Sequence, residues 1–175
     1  MLALLLAPAA RADEQQSHTQ TALGPRGVFY RPKNADHGAW SPGGQLNVHA
    51  GGPYVIQGSA DVAHYTAAGA SWRSVPLQVT LIDYLTPEDP ASFYVLAGYG
   101  WYFNRVDGPG AHSETLAHPH AGAGVELLSG VNWSFDADYR FIWSATYKPW
   151  TSDHPFGSNY QKRGSMITLA LTRRF

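Results

Sequence analysis

Residues 133–147, WSFDADYRFIWSATY, interleave two different surfaces. Trp133, Phe135, Ala137, Tyr139, Phe141, Trp143, Ala145 and Tyr147 share one parity, while Ser134, Asp136, Asp138, Arg140, Ile142, Ser144 and Thr146 share the other. Side chains alternate between the faces of a β-strand, so a strand here has one continuous apolar and aromatic face and one mostly polar or charged face. A helix would spread both sets around its circumference. The same design runs through 93–103, where Phe93, Val95, Ala97, Tyr99, Trp101 and Phe103 oppose Tyr94, Leu96, Gly98, Gly100 and Tyr102. In 120–128, Ala121, Val125 and Leu127 oppose His120, Gly122, Gly124 and Glu126, and in 165–175, Ile167, Leu169, Leu171 and Phe175 oppose Thr168, Thr172 and Arg174.

Weaker copies at 26–31, 44–50, 54–65 and 73–85 bring the strands to eight. Pro76 lies inside the fourth and has no N–H for a ladder bond, so that strand is expected to be bulged or unpaired there. Short, Gly- or Pro-punctuated turns are read at 51–53, 86–92 and 129–131, an intermediate link at 66–72, and long loops at 32–43, 105–119 and 148–162. The short turns follow the even strands and lie on the side of both termini.

Composition narrows the class. The 175 residues leave room for one domain, and 14% charged residues is low against about 25% for a soluble domain, yet the mean hydropathy of -0.26 is low for a helical membrane protein. No apolar run reaches the roughly 18 residues of a spanning helix. A net charge of -1 offers no basic face for nucleic acid, and without Cys there are no disulfides and no thiolate chemistry. An eight-stranded barrel encloses little more than its own inward side chains, and eight aromatic faces would overfill it. The aromatic parity therefore faces outward, where Tyr and Trp suit the two bilayer interfaces. The fold class read is all-β, an eight-stranded antiparallel up-and-down transmembrane β-barrel, with an even strand count and alternating short and long connections.

Residues 1–12, MLALLLAPAARA, read as a signal peptide with a shortened basic start, Ala10-Arg11-Ala12 having the small-x-small form of a cleavage site. The barrel domain is then 13–175.

Four segments carry a family resemblance: VPLQVTLIDYL (75–85), ASFYVLAGYGWYFNRV (91–106), HPHAGAGVELLSGVNWSFDADYRFIW (118–143) and the last strand, SMITLALTRRF, ending in Phe175. The chain resembles the small bacterial outer-membrane β-barrels, the porin-like superfamily that includes the outer membrane protein W and outer membrane protein A barrels. The resemblance implies residence in the outer membrane with periplasmic termini, outer-membrane lipid and lipopolysaccharide as surroundings, and insertion by the barrel-assembly machinery through the strand ending in Phe175. It names no substrate.

Asp136, Asp138, Arg140 and Glu126 share the inward parity, with Asp61 on an inward position of the third strand. Carboxylates in a narrow lumen are costly unless paired, so Arg140 and Arg174 are expected to bridge them in a polar plug, a reading preferred to a proton or ion path. Tyr94, Leu96, Tyr102 and Ile142 form a candidate apolar lining, and kinship with outer membrane protein W suggests a narrow passage near the long loops for small hydrophobic molecules. His112, His118 and His120 with Glu114 are placed in or beside the long loop at 105–119. Their spacing specifies no metal set, and loop polarity explains them more simply. Ser113 between His112 and Glu114 is the one Ser-His-carboxylate group in a loop, the form a lipid A acyl hydrolase or transferase would need, but sequence neighbours in extended chain point apart. Gly38-Ala39-Trp40 is similar to the Gly-x-Trp of soluble, lipocalin-like carriers, but Ser41-Pro42-Gly43-Gly44 after it reads as a loop; the discriminator is whether Phe141 and Trp143 face lumen or lipid. The reading is a non-enzymatic envelope protein with a porin-like or structural role, without cofactor, metal or nucleic acid.

Overall fold

The computed structural model describes residues 21–32, 37–67, 70–87, 89–107, 111–129, 132–143 and 164–175. The expected leader, 1–12, and the expected loop at 148–162 lie outside the described residues. Eight strands follow in chain order: β1 (Thr21–Pro32), β2 (Ala39–Gly51), β3 (in two pieces, Tyr54–Asp61 and Ala63–Ala67), β4 (Ala70–Tyr84), β5 (Ala91–Asp107), β6 (His112–Ser129), β7 (Trp133–Ile142) and β8 (Gly164–Arg174). Each pairs antiparallel with its neighbours in sequence, and β1 also pairs with β8, from Ala22 opposite Arg174 to Pro32 opposite Gly164. The Phe175 N–H donates to the Thr21 carbonyl at 2.9 Å. The sheet is thus a closed barrel with no free edge.

Pro76 explains the break in β3. The β3–β4 register is the same on both sides of it, Ala60 opposite Leu77 and Ala63 opposite Ser74. At Pro76 β4 is therefore unpaired toward β3 rather than bulged, while Pro76 stays opposite Tyr102 of β5. Val62 turns its N–H to the Pro42 carbonyl of β2 at 2.9 Å instead. A register shift does occur between His49 and Gly51, where the chain turns through Gly51 and Gly52, both at positive φ, a conformation that favours glycine.

Parity reads out as burial along every strand. In β7, Ser134, Asp136, Asp138, Arg140 and Ile142 are buried, and Trp133, Phe135, Tyr139 and Phe141 are exposed. Phe141 and Trp143 point outward and touch edge to face at 5.1 Å, which removes the soluble, lipocalin-like alternative. Trp40 is also outward, 60% exposed beside the Phe29 ring at 5.5 Å.

The loops differ from the sequence reading. Residues 105–107 and 112–119, expected as a long loop, continue β5 and β6 as a paired hairpin, Asn104 opposite Glu114 and Val106 opposite His112. Ser41-Pro42-Gly43-Gly44, expected as a loop, belongs to β2, with Gly43 opposite Arg26. The link at 66–72 shrinks to the two residues between Ala67 and Ala70. Pro42 and Pro119 lie on the outward parity, and Gly43 and Gly44 pair within the sheet. β5 and β6 have 17 and 18 residues, well beyond the roughly 9–11 that cross a bilayer.

Candidate functional site

The lumen is the candidate site, and its side chains fall into bands. Nearest the termini, Val55, Ile82, Tyr84, Tyr94 and Leu96 form an apolar cluster, with the Tyr84 and Tyr94 rings 5.4 Å apart. On the opposite wall at this level Arg174 Nη2 donates to Glu126 Oε1 at 2.5 Å, and Ser134 and Thr172 share a hydrogen bond of 2.7 Å. Asp136 lies among them. Its partners are Thr172 Oγ1 at 3.4 Å and Gln45 Nε2 at 3.5 Å, and among the described residues no Arg or Lys is within ion-pair range of it.

The middle band closes the barrel. From β7, Arg140 is fully buried and grips Asp138 with two hydrogen bonds, Nε to Oδ1 at 2.7 Å and Nη2 to Oδ2 at 2.9 Å. Its remaining donors cross the lumen to Gln57 Oε1 of β3 at 2.8 Å and to Gln78 Oε1 and Thr80 Oγ1 of β4, both at 3.3 Å. A guanidinium has five N–H donors, and these five acceptors match them. From β1, Arg26 pairs with Asp61 through Nε at 2.6 Å and through Nη2, and Nη2 also donates to Gln78 Oε1 at 3.1 Å. Gln78 Oε1 therefore joins two ion pairs into one network. Its amide donates to the Tyr102 hydroxyl at 3.1 Å, and Thr80 Oγ1 lies 2.9 Å from His120 Nε2. Glycines on the inward parity make the room. A Cβ at Gly124 would collide with the Tyr94 ring, and one at Gly122 with the Tyr139 backbone.

Toward the other end, Val28, Tyr30, Tyr102, Ile142 and Met166 form a second apolar cluster, joined by Leu116. Beyond it Tyr65 stacks on Trp72 at 6.1 Å and meets Tyr30 edge-on at 6.3 Å. The four candidate lining residues are thus split, Tyr94 and Leu96 below the charged band, Tyr102 and Ile142 above it. Of the six candidate polar residues, Asp138 and Arg140 pair with each other and Glu126 with Arg174, whereas Asp61 pairs with Arg26. Arg26, Gln57, Gln78, Thr80 and His120 escaped the sequence reading as partners. Alternation places Arg26 on the face of Val28 and Tyr30, a usable signal, but nothing local tells that β1 and β3 meet across the lumen.

His112, Ser113 and Glu114 lie on β6, not in a loop. His112 packs edge-on against Trp72 at 6.3 Å, and His118 lies tilted against Tyr102 at 5.5 Å. Among the described residues no group of three His, Cys, Asp or Glu could hold a metal.

No family model matches the chain, and no curated protein matches it in sequence. Solved structures do. Neisserial surface protein A aligns with a TM-score of 0.69 at 12% identity, over 89% of this chain and 96% of that one. The N-terminal β-barrel domain of Pseudomonas aeruginosa OprF aligns at 0.63 and 13%, over 88% and 97%. The outer membrane protein OprG from Pseudomonas aeruginosa aligns at 0.62 and 8%, over 90% and 96%. The chain thus has the fold of the eight-stranded outer-membrane barrels.

Proposed function

We propose that the chain is a non-enzymatic barrel of the bacterial outer membrane, with a structural or porin-like role and a lumen closed to water-soluble solutes. The observation that carries this is Arg140, fully buried and tied to β3 and β4 across the lumen while Trp, Tyr and Phe face outward. A surface of exposed Leu, Val, Phe and Trp on every strand belongs in hydrocarbon, and backbone at that depth tolerates only helices or closed barrels. The three connections beside the termini are short, an arrangement that points the termini to the periplasm. Outer-membrane lipid and lipopolysaccharide then surround the barrel, and the C-terminal strand ending in Phe175 is the segment offered to the barrel-assembly machinery.

The finer reading is a recess for small hydrophobic molecules. The cluster of Val28, Tyr30, Tyr102, Leu116, Ile142 and Met166, with Tyr65, Trp72 and Val106 beyond it, lies on the loop side of the charged band, so a recess there would end blindly at Gln78 and Arg140. Proteoliposomes carrying the protein are expected to retain trapped sugars and to bind an apolar fluorophore. Ile142→Glu should reduce that binding severalfold and Leu96→Glu should leave it unchanged. Sugar release at porin-like rates, or equal loss in both variants, would count against the reading. Lipid A from cells with and without the protein should have the same mass; a changed acyl count would identify an enzyme.

A further inference from the structure

On the outside of the barrel, just beyond the apolar belt at the loop end, four polar side chains stand in one cross-strand row. His64 of β3 is opposite Arg73 of β4, Arg73 is opposite Arg105 of β5, and Arg105 is opposite Ser113 of β6. All four are exposed. The row beneath is Val62, Val75, Phe103 and Thr115, the upper margin of the belt. The row above is Thr66, Ser71 and Asp107. Asp107 accepts from Arg105 Nε at 3.2 Å. Arg73 has no carboxylate in ion-pair range among the described residues.

Like charges directly opposite on neighbouring strands destabilise a sheet. Two arginines in register, with a carboxylate on Arg105 alone, leave positive charge to be neutralised from outside, and the guanidinium fork suits a phosphate. The height of the row settles which phosphate. Long basic side chains at the margin of an apolar belt reach the headgroup level of the lipid beside them. We infer that His64, Arg73, Arg105 and Ser113 form a docking site for a phosphate of the glycolipid of the outer leaflet, the lipid A of lipopolysaccharide, whose acyl chains would lie along Val75, Phe103 and Trp101. This rests on the outer-membrane reading above.

The folded full chain in detergent, titrated with bisphosphorylated lipid A, dephosphorylated lipid A and phosphatidylglycerol, can be followed by native mass spectrometry. Bisphosphorylated lipid A should be retained over the other two, less so as salt rises. The double variant R73Q/R105Q should lose about tenfold in affinity, roughly the loss of one charge-assisted hydrogen bond. R73K/R105K should keep most of it, and R173Q, at the far end of the barrel, all of it. Unchanged binding by R73Q/R105Q, or equally tight Arg-dependent retention of phosphatidylglycerol, would overturn the assignment. Failure of the underlying reading shows differently, as a preparation whose gel mobility is the same with and without boiling.

Discussion

At the residue scale the lumen contrasts two aspartates one strand repeat apart. Asp138 is held by Arg140, whereas Asp136 has only Thr172 and Gln45, at longer distances. Removing one partner of a buried ion pair strands the other charge, at about 3–5 kcal/mol. Arg140→Met and Asp138→Asn should therefore each lower stability by that order, measured by urea unfolding of the folded barrel with Trp fluorescence. Asp136→Asn strands no cation and should shift stability by less than about 1 kcal/mol, within the range of an ordinary hydrogen bond. An Asp136→Asn loss as large as that of Asp138→Asn would mean that the two carboxylates share one cation. The inward placement of Asp136, Asp138 and Arg140 was legible from parity alone. The cross-lumen partners of Arg140 were not, because Gln57, Thr80 and Gln78 are 60 or more residues away in sequence and reach it only through barrel closure.

At the scale of elements, the strands most readily recognised were those whose outward face is unbroken, β5 and β7. β1 and β2 extend beyond the 26–31 and 44–50 that the pattern marks, because Pro25, Pro42 and Gly43 are all paired in the closed sheet. Local composition marks where a chain can turn, and tertiary pairing decides whether it does. The inward glycines of β5 and β6 had a reason that pattern could not supply: Gly124 is directly opposite Tyr94, and its missing side chain is the space the Tyr94 ring occupies. Gly124→Val should cost about 1–3 kcal/mol by overpacking. Gly124→Val with Tyr94→Ala should recover part of that loss in the same unfolding experiment, and strict additivity of the two changes would argue against direct contact.

At the scale of the whole molecule, a bland mean hydropathy and a charge-poor composition are the average of two opposed surfaces. Exposed Leu, Val, Phe, Tyr and Trp wrap the outside, and inside a network of ion pairs, amides and hydroxyls lies between two apolar clusters. The sequence carried that inversion, which the burial along the strands shows. It did not carry the heights of the bands along the barrel, because strand register depends on hairpins whose lengths were overestimated at 105–119 and 66–72. Spin labels placed one at a time along 134–141, with the protein in lipid vesicles, test the inversion most directly. Labels at 135, 137, 139 and 141 should collide freely with dissolved oxygen, as lipid-exposed sites do, and labels at 134, 136, 138 and 140 should be shielded. The reverse pattern, with 136, 138 and 140 open to a water-soluble relaxation agent and the aromatic positions shielded, would contradict the account.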